Sequence, residues 1–171
     1  MVNNPSTGYW PRKAISRDEL RQHIESMRTG GVPARIVQAN GCFDVLHAGH
    51  ERYLEDARSR GDFLIVALNS DASVTALKGS GRPIMPLSER AEIVGALRCV
   101  DAITWFDEAD LEATLRALRP DIHAKGTDYT EVDVPEAATD RELGIEIAIC
   151  GDPKDHSTSG LLDRIRAQGG A

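Results

Sequence analysis

The sequence lacks any apolar run long enough to cross a bilayer, which excludes a membrane-spanning helix. Its first residues, Met-Val-Asn-Asn-Pro-Ser-Thr-Gly, carry no charged-then-apolar signal pattern. Cysteine is scarce: Cys42, Cys99 and Cys150 are widely spaced and odd in number. They form neither a disulfide framework nor a CxxC metal site, so no resident metal is expected and the cytoplasm is the expected compartment. A basic surplus is also missing. Twenty Lys and Arg against 27 Asp and Glu leave a net charge of −7. A general nucleic-acid binder needs a basic surface, so nucleic acid is not an expected partner, although a local basic pocket is allowed. There is no internal repeat and no low-complexity tract.

What is present suits one domain with a core, since 171 residues are too few for two comfortable ones. Residues 1–14 mix Asn, Pro, Ser and Gly with Tyr9 and Trp10 and read as a flexible arm; residues 15–171 read as the single domain. Ser16-Arg-Asp-Glu19 matches a capping box, which predicts a helix to Met27 that Thr29-Gly-Gly31 ends. Strand-like and helix-like stretches then alternate. Strands are expected at 35–39, 62–69, 102–106, 121–124 and 145–150. Helices are expected at 47–60, 71–77, 88–98, 110–118, 136–143 and 158–167, the fourth-strand loop opening at Lys125-Gly126. Ile93, Val94 and Leu97 are expected to face inward. The pattern predicts an α/β fold, a five-stranded parallel sheet with helices on both faces. Such sheets bind ligands beyond the carboxyl ends of their strands.

The polar residues fall in those loops. Asn40-Gly-Cys-Phe-Asp-Val-Leu-His-Ala-Gly-His50 follows the first strand. It opens a helix with two histidines, His47 and His50, three apart on one face. A helix N-terminus attracts phosphate through its free N–H groups and dipole, and Gly49 lets a ligand approach the backbone. Asn69 and Asp71 follow the second strand, Lys125, Gly126 and Asp128 the fourth, and Ser157, Thr158 and Ser159 the fifth. Lys78, Arg82, Arg90 and Lys125 supply cations for phosphate. Together these suit attack on the α-phosphorus of a nucleoside triphosphate, where fixed donors lower the barrier. Plainer roles stand beside these. Asp44 can cap its turn, Arg90 can pair across its helix, Ser157, Thr158 and Ser159 can serve as an N-cap, and Lys78 and Arg82 can be solvated loop charges. Cys42 is expected beneath its loop, His123 facing the sheet outside the site, and His23 in water.

At these residues the chain resembles the cytidylyltransferase-like nucleotidyltransferases, whose His-x-Gly-His signature appears here as His47-Ala-Gly-His50. With Asn69-Ser-Asp-Ala-Ser73, Lys78-Gly-Ser-Gly-Arg-Pro83, Glu89-Arg90, Lys125-Gly-Thr-Asp-Tyr129 and Ser157-Thr-Ser159, it is similar to the heptose-1-phosphate adenylyltransferases over residues 16–167. The resemblance implies a Rossmann-like domain. It implies catalytic roles for His47, His50 and Lys78, and nucleotide contacts from Asn40, Gly41, Cys42, Phe43, Asp44, Gly49, Lys125, Gly126, Asp128, Ser157, Thr158 and Ser159. Substrate contacts are expected from Asn69, Asp71, Arg82 and Arg90. The implied reaction transfers AMP from ATP to a heptose 1-phosphate, with Mg2+ on the phosphates and a homodimeric enzyme. It also implies the stand-alone form, since the length leaves no room for a kinase domain. Two departures stand out: Thr127, where Gly is commoner, and the 151–156 lead-in to the Ser-Thr pair. The rival is the same chemistry on glycerol 3-phosphate or another phosphosugar or phosphoalcohol, with CTP or GTP. A non-catalytic nucleotide sensor and a tRNA-synthetase fragment are the readings from other classes.

Overall fold

The computed structural model describes residues 12–30, 34–153 and 157–169. Most of the expected arm, with Tyr9 and Trp10, lies outside them, as do Gly31 and residues 154–156. The described end of the arm is docked. Ala14 bridges Ile103, Ile103 N–H donates to the Lys13 carbonyl at 2.7 Å, and the Lys13 ammonium donates to Leu97 and Val100 carbonyls.

Among the described residues, five strands and seven helices follow in the order α1 (Arg17–Thr29), β1 (Ile36–Gly41), α2 (Ala48–Ser59), β2 (Phe63–Asn69), α3 (Asp71–Lys78), α4 (Leu87–Ala96), β3 (Ala102–Phe106), α5 (Glu112–Leu118), β4 (Ile122–Gly126), α6 (Ala137–Leu143), β5 (Glu146–Cys150) and α7 (Thr158–Gln168). The capping box at Ser16 and Glu19 forms as expected. All strand pairs are parallel, in the order β3-β2-β1-β4-β5. Both sheet faces are covered, which explains the near-continuous apolar character of β2. Tyr53, Leu54 and Ala57 of α2 and Ala91 and Val94 of α4 pack on Val37, Ala39, Leu64 and Val66. On the other face, Leu20 and Ile24 of α1 and Leu118 of α5 meet Ile36 and Ile65.

α4 corrects one expectation. Leu87, Arg90, Ala91 and Val94 form its buried stripe, so Ile93 falls off that stripe and is 38% exposed. The helix also stops at Ala96, because Leu97 takes an extended backbone while its side chain packs on the core.

The chain leaves β1 toward β2 and β3, then crosses back to β4 and β5, so the switch point lies between β1 and β4. There the sheet parts. β1 pairs with β2 as far as Gly41↔Leu68, and β4 with β5 as far as Gly126↔Cys150. β1 and β4, however, pair only as far as Ala39↔Ala124. Beyond that rung a crevice opens, the place where parallel sheets hold ligands.

Candidate active site

The loop from β1 to α2 is strained and tightly held. Phe43 and Val45 take φ values of 46° and 62°, which cost a side-chain-bearing residue about 1–3 kcal/mol each. The buried Phe43 ring lies 5.1 Å from the His50 ring and 6.4 Å from that of Tyr53. A Cβ on Gly41 would meet the Phe43 ring at 3.0 Å, so glycine there admits the aromatic. Tyr53 hydroxyl donates to the Ala124 carbonyl at 2.7 Å, tying α2 to the last paired rung beside the crevice.

Asp44 is expected at the nucleotide, but its fully buried carboxylate is turned to the loop before α4. It accepts from Ile84 N–H at 2.9 Å, Met85 N–H at 3.0 Å and the Arg82 guanidinium at 2.7 Å. Arg82 is therefore engaged with Asp44 rather than presented to substrate. Arg90 is corrected further. Its side chain is wholly inside the protein and donates to the Met85 carbonyl at 3.1 Å, the Cys42 carbonyl at 2.6 Å and Asp71 at 2.7 Å. It ties three segments together and offers no face to a ligand, and Asp71 is its half-exposed counter-ion.

His47 is the N-cap of α2, and His50 reaches back so that its Nδ1 accepts the His47 N–H at 3.3 Å. A neutral ring that accepts at Nδ1 carries its proton on Nε2. Burial, with the neighbouring His47 and Lys78, lowers the His50 pKa to about 4, so the ring is neutral at pH 7. The two imidazoles stack, with centroids 3.8 Å apart and planes 21° apart.

Two cavities meet at His50. The first, about 310 Å³, is bordered by His47, Gly49, Thr127 and residues 157–159. The second, about 490 Å³, is bordered by Asn40, Gly41, Cys42, Asn69, Lys125 and Glu136. His50, Tyr53, Lys78, Gly126 and Asp128 border both. Lys78, at the C-terminal end of α3, is exposed at this junction. Cys42 is half-buried in the wall of the second cavity, not beneath the loop, and its thiol donates to Asn69 Oδ1 at 3.8 Å. Burial pushes that thiol up, so it is a poor nucleophile. Asn69 itself is buried and donates to Ser73 Oγ.

On the far side, Ser157 caps α7 by accepting Gly160 N–H at 3.1 Å, and Thr158 hydroxyl donates to the Asp44 carbonyl at 2.9 Å. Thr127 Oγ1 donates to the Asp152 carbonyl at 2.7 Å, and Asp152 pairs with Arg52. Thr127 thus joins the β4 and β5 loops along the first cavity. Lys125 is also altered from expectation. It is 6% exposed and ion-paired with Glu136 at 3.0 Å, so its charge is already matched. Burial alone would raise the Glu136 carboxyl; Lys125 and His123 outweigh it and hold it low. Glu136 reads in sequence only as a helix start. Phe106 and Leu111 border the second cavity too, and nothing in their apolar character signals a site. Among the described residues no group of three His, Cys, Asp or Glu is arranged to hold a metal ion, and no helix is long and apolar enough to cross a membrane.

A family model described as cytidylyltransferase-like matches residues 38–164. The chain is 42% identical over 153 residues to the bifunctional protein HldE of Methylobacillus flagellatus, covering 90% of this chain and 31% of that protein. It is 47% identical over 129 residues to the bifunctional protein HldE of Streptomyces coelicolor, covering 75% and 28%. The chain thus spans about a third of the length of the curated relatives it matches. A crystal structure of the lipopolysaccharide core biosynthesis protein from Thermoplasma volcanium superposes with a TM-score of 0.61 at 29% identity, over 71% of this chain and all of that one. With its parted parallel sheet and its stacked His47–His50 pair, the chain belongs to the cytidylyltransferase-like family of nucleotidyltransferases.

Proposed function

We propose that the chain transfers AMP from ATP to a heptose 1-phosphate, giving an ADP-activated heptose and pyrophosphate. The observation that carries this is the place of His50: a neutral imidazole at the junction of two cavities, stacked on His47 and beside Lys78. The first cavity takes the nucleoside triphosphate and the second the phosphorylated sugar, so Asn40, Gly41, Cys42 and Lys125, expected at the nucleotide, fall to the acceptor in this reading. A phosphate oxygen of the sugar attacks the α-phosphorus. The bond from that phosphorus to the bridging oxygen breaks, and pyrophosphate leaves with the electron pair.

Charge gathers on the α-phosphate and leaving-group oxygens as this happens. His50, with Nε2–H as its donor, can hold such an oxygen without losing its proton to it. His47 and the start of α2 supply further donors at that end. Lys78 brings a positive charge on a long stem to the same junction. Mg2+ enters on the triphosphate as part of the substrate, since phosphates with one or two carboxylates suffice to hold it. Support for the sugar comes from similarity to HldE proteins.

The test is pyrophosphate release from ATP, CTP and GTP, each with heptose 1-phosphate and with glycerol 3-phosphate. ATP with the heptose phosphate is expected to exceed every other pair by at least tenfold. Preference for CTP with glycerol 3-phosphate would replace the proposal.

A further inference from the structure

Behind the second cavity two buried polar pairs share one amide. His123 and Asp140, both fully buried, meet through Nδ1 and Oδ2 at 2.8 Å. Lys125 and Glu136, nearly as buried, meet at 3.0 Å. Between the pairs stands Asn40, whose Oδ1 lies 3.3 Å from His123 Nε2 and 3.3 Å from Lys125 Nζ. An ammonium only donates, so the Asn40 atom facing Lys125 is the carbonyl oxygen. His123 Nε2 faces that same oxygen, and its Nδ1 is held by the Asp140 carboxylate. The amide is thereby fixed, with its oxygen toward the two pairs and Nδ2 as its remaining polar end, and Asn40 borders the second cavity.

Buried charged and polar pairs are weak stabilisers, because desolvation offsets most of their attraction. Two of them converging on one cavity-wall amide are better explained by what they orient. We propose that His123 and Asp140 are positioning residues which, with Lys125, hold the Asn40 carboxamide so that its Nδ2–H donates to the phosphorylated acceptor. This rests on assigning the second cavity to that acceptor.

Asn40→Asp keeps an acceptor for Lys125 and His123 but removes the donor. It is expected to raise the KM for heptose 1-phosphate at least tenfold while the KM for ATP stays within twofold. Asp140→Asn and His123→Gln loosen the amide without deleting it and should show the same split at about threefold to tenfold. Adding either change to Asn40→Asp should cost little more, because both act through one group. A rise in the KM for ATP instead, or an unchanged acceptor KM in Asn40→Asp, overturns the proposal. Nitrogen-15 NMR of the unmodified protein tests the positioning separately from turnover and from the variants' folding. The Asn40 Nδ2H2 group should be as rigid as the surrounding backbone, and an amide as mobile as an exposed side chain overturns the arrangement. Absence of turnover in the unmodified protein with any phosphosugar would refute the functional reading instead, leaving the NMR result to judge the network.

Discussion

His47 and His50 hold each other in place: the His47 backbone N–H is the donor to His50 Nδ1, and their rings stack 3.8 Å apart. One local turn therefore sets the tautomer of His50, while burial, His47 and Lys78 keep its ring neutral. The donor proposed for catalysis is prepared by its own helix start, before any substrate binds.

Removing the His50 imidazole should cost kcat roughly 10²–10³, the size of losing one oriented transition-state donor. His50→Ala is expected to retain its far-ultraviolet circular dichroism and to lose pyrophosphate release to this extent. Turnover within tenfold of the unmodified enzyme would remove His50 from the mechanism.

Protonation of His50 should weaken the fold in acid. Its folded pKa of about 4 lies below the ordinary histidine value of 6.5, so the unfolded chain binds more protons between those values. Stability therefore rises with pH through that window, and falls as pH drops from about 6.5 to about 4. Thermal midpoints measured from pH 7.5 to pH 4 should decline less steeply in His50→Gln than in the unmodified protein. Parallel declines would refute the shift.

Arg90 should matter for stability first. Arg90→Met leaves the Met85 and Cys42 carbonyls without their donor. At ~1–3 kcal/mol for each acceptor so stranded, the loss is about 3 kcal/mol in a urea titration. A variant of normal stability whose acceptor KM alone had risen would make Arg90 a substrate residue after all.

Gly126 borders both cavities, and a Cβ placed there meets nothing within 4 Å. Gly126→Val should thus fold with little change in thermal midpoint yet bind ATP at least tenfold more weakly by calorimetry. Normal affinity would move the triphosphate away from this strand end.

Much of this was legible along the chain. All five strands lie within two residues of the expected positions, because parallel strands buried on both faces read as apolar runs and their helices carry caps at Ser16, Ser70 and Ser157. The crowding of polar residues into the loops after β1, β2, β4 and β5 is a matter of order along the chain, so it too could be read. What could not be read is which charges pair. Arg82, Arg90 and Lys125 look alike in sequence as phosphate-binding cations, and Asp44, Asp71 and Glu136 as unrelated acids. Each of those cations is matched to one of those acids at a sequence separation of 11 to 38 residues.

Sequence alone determined the elements, their order and the His-Ala-Gly-His turn, since helix caps, apolar runs and a four-residue motif act within a few residues. Tertiary structure decided the rest: that Lys78 stays exposed at the junction while Arg90 is sealed inside, and that His123, remote from the motif, stands behind Asn40. Those outcomes depend on desolvation and on partners brought from distant segments, and neither is set until the sheet has closed around them.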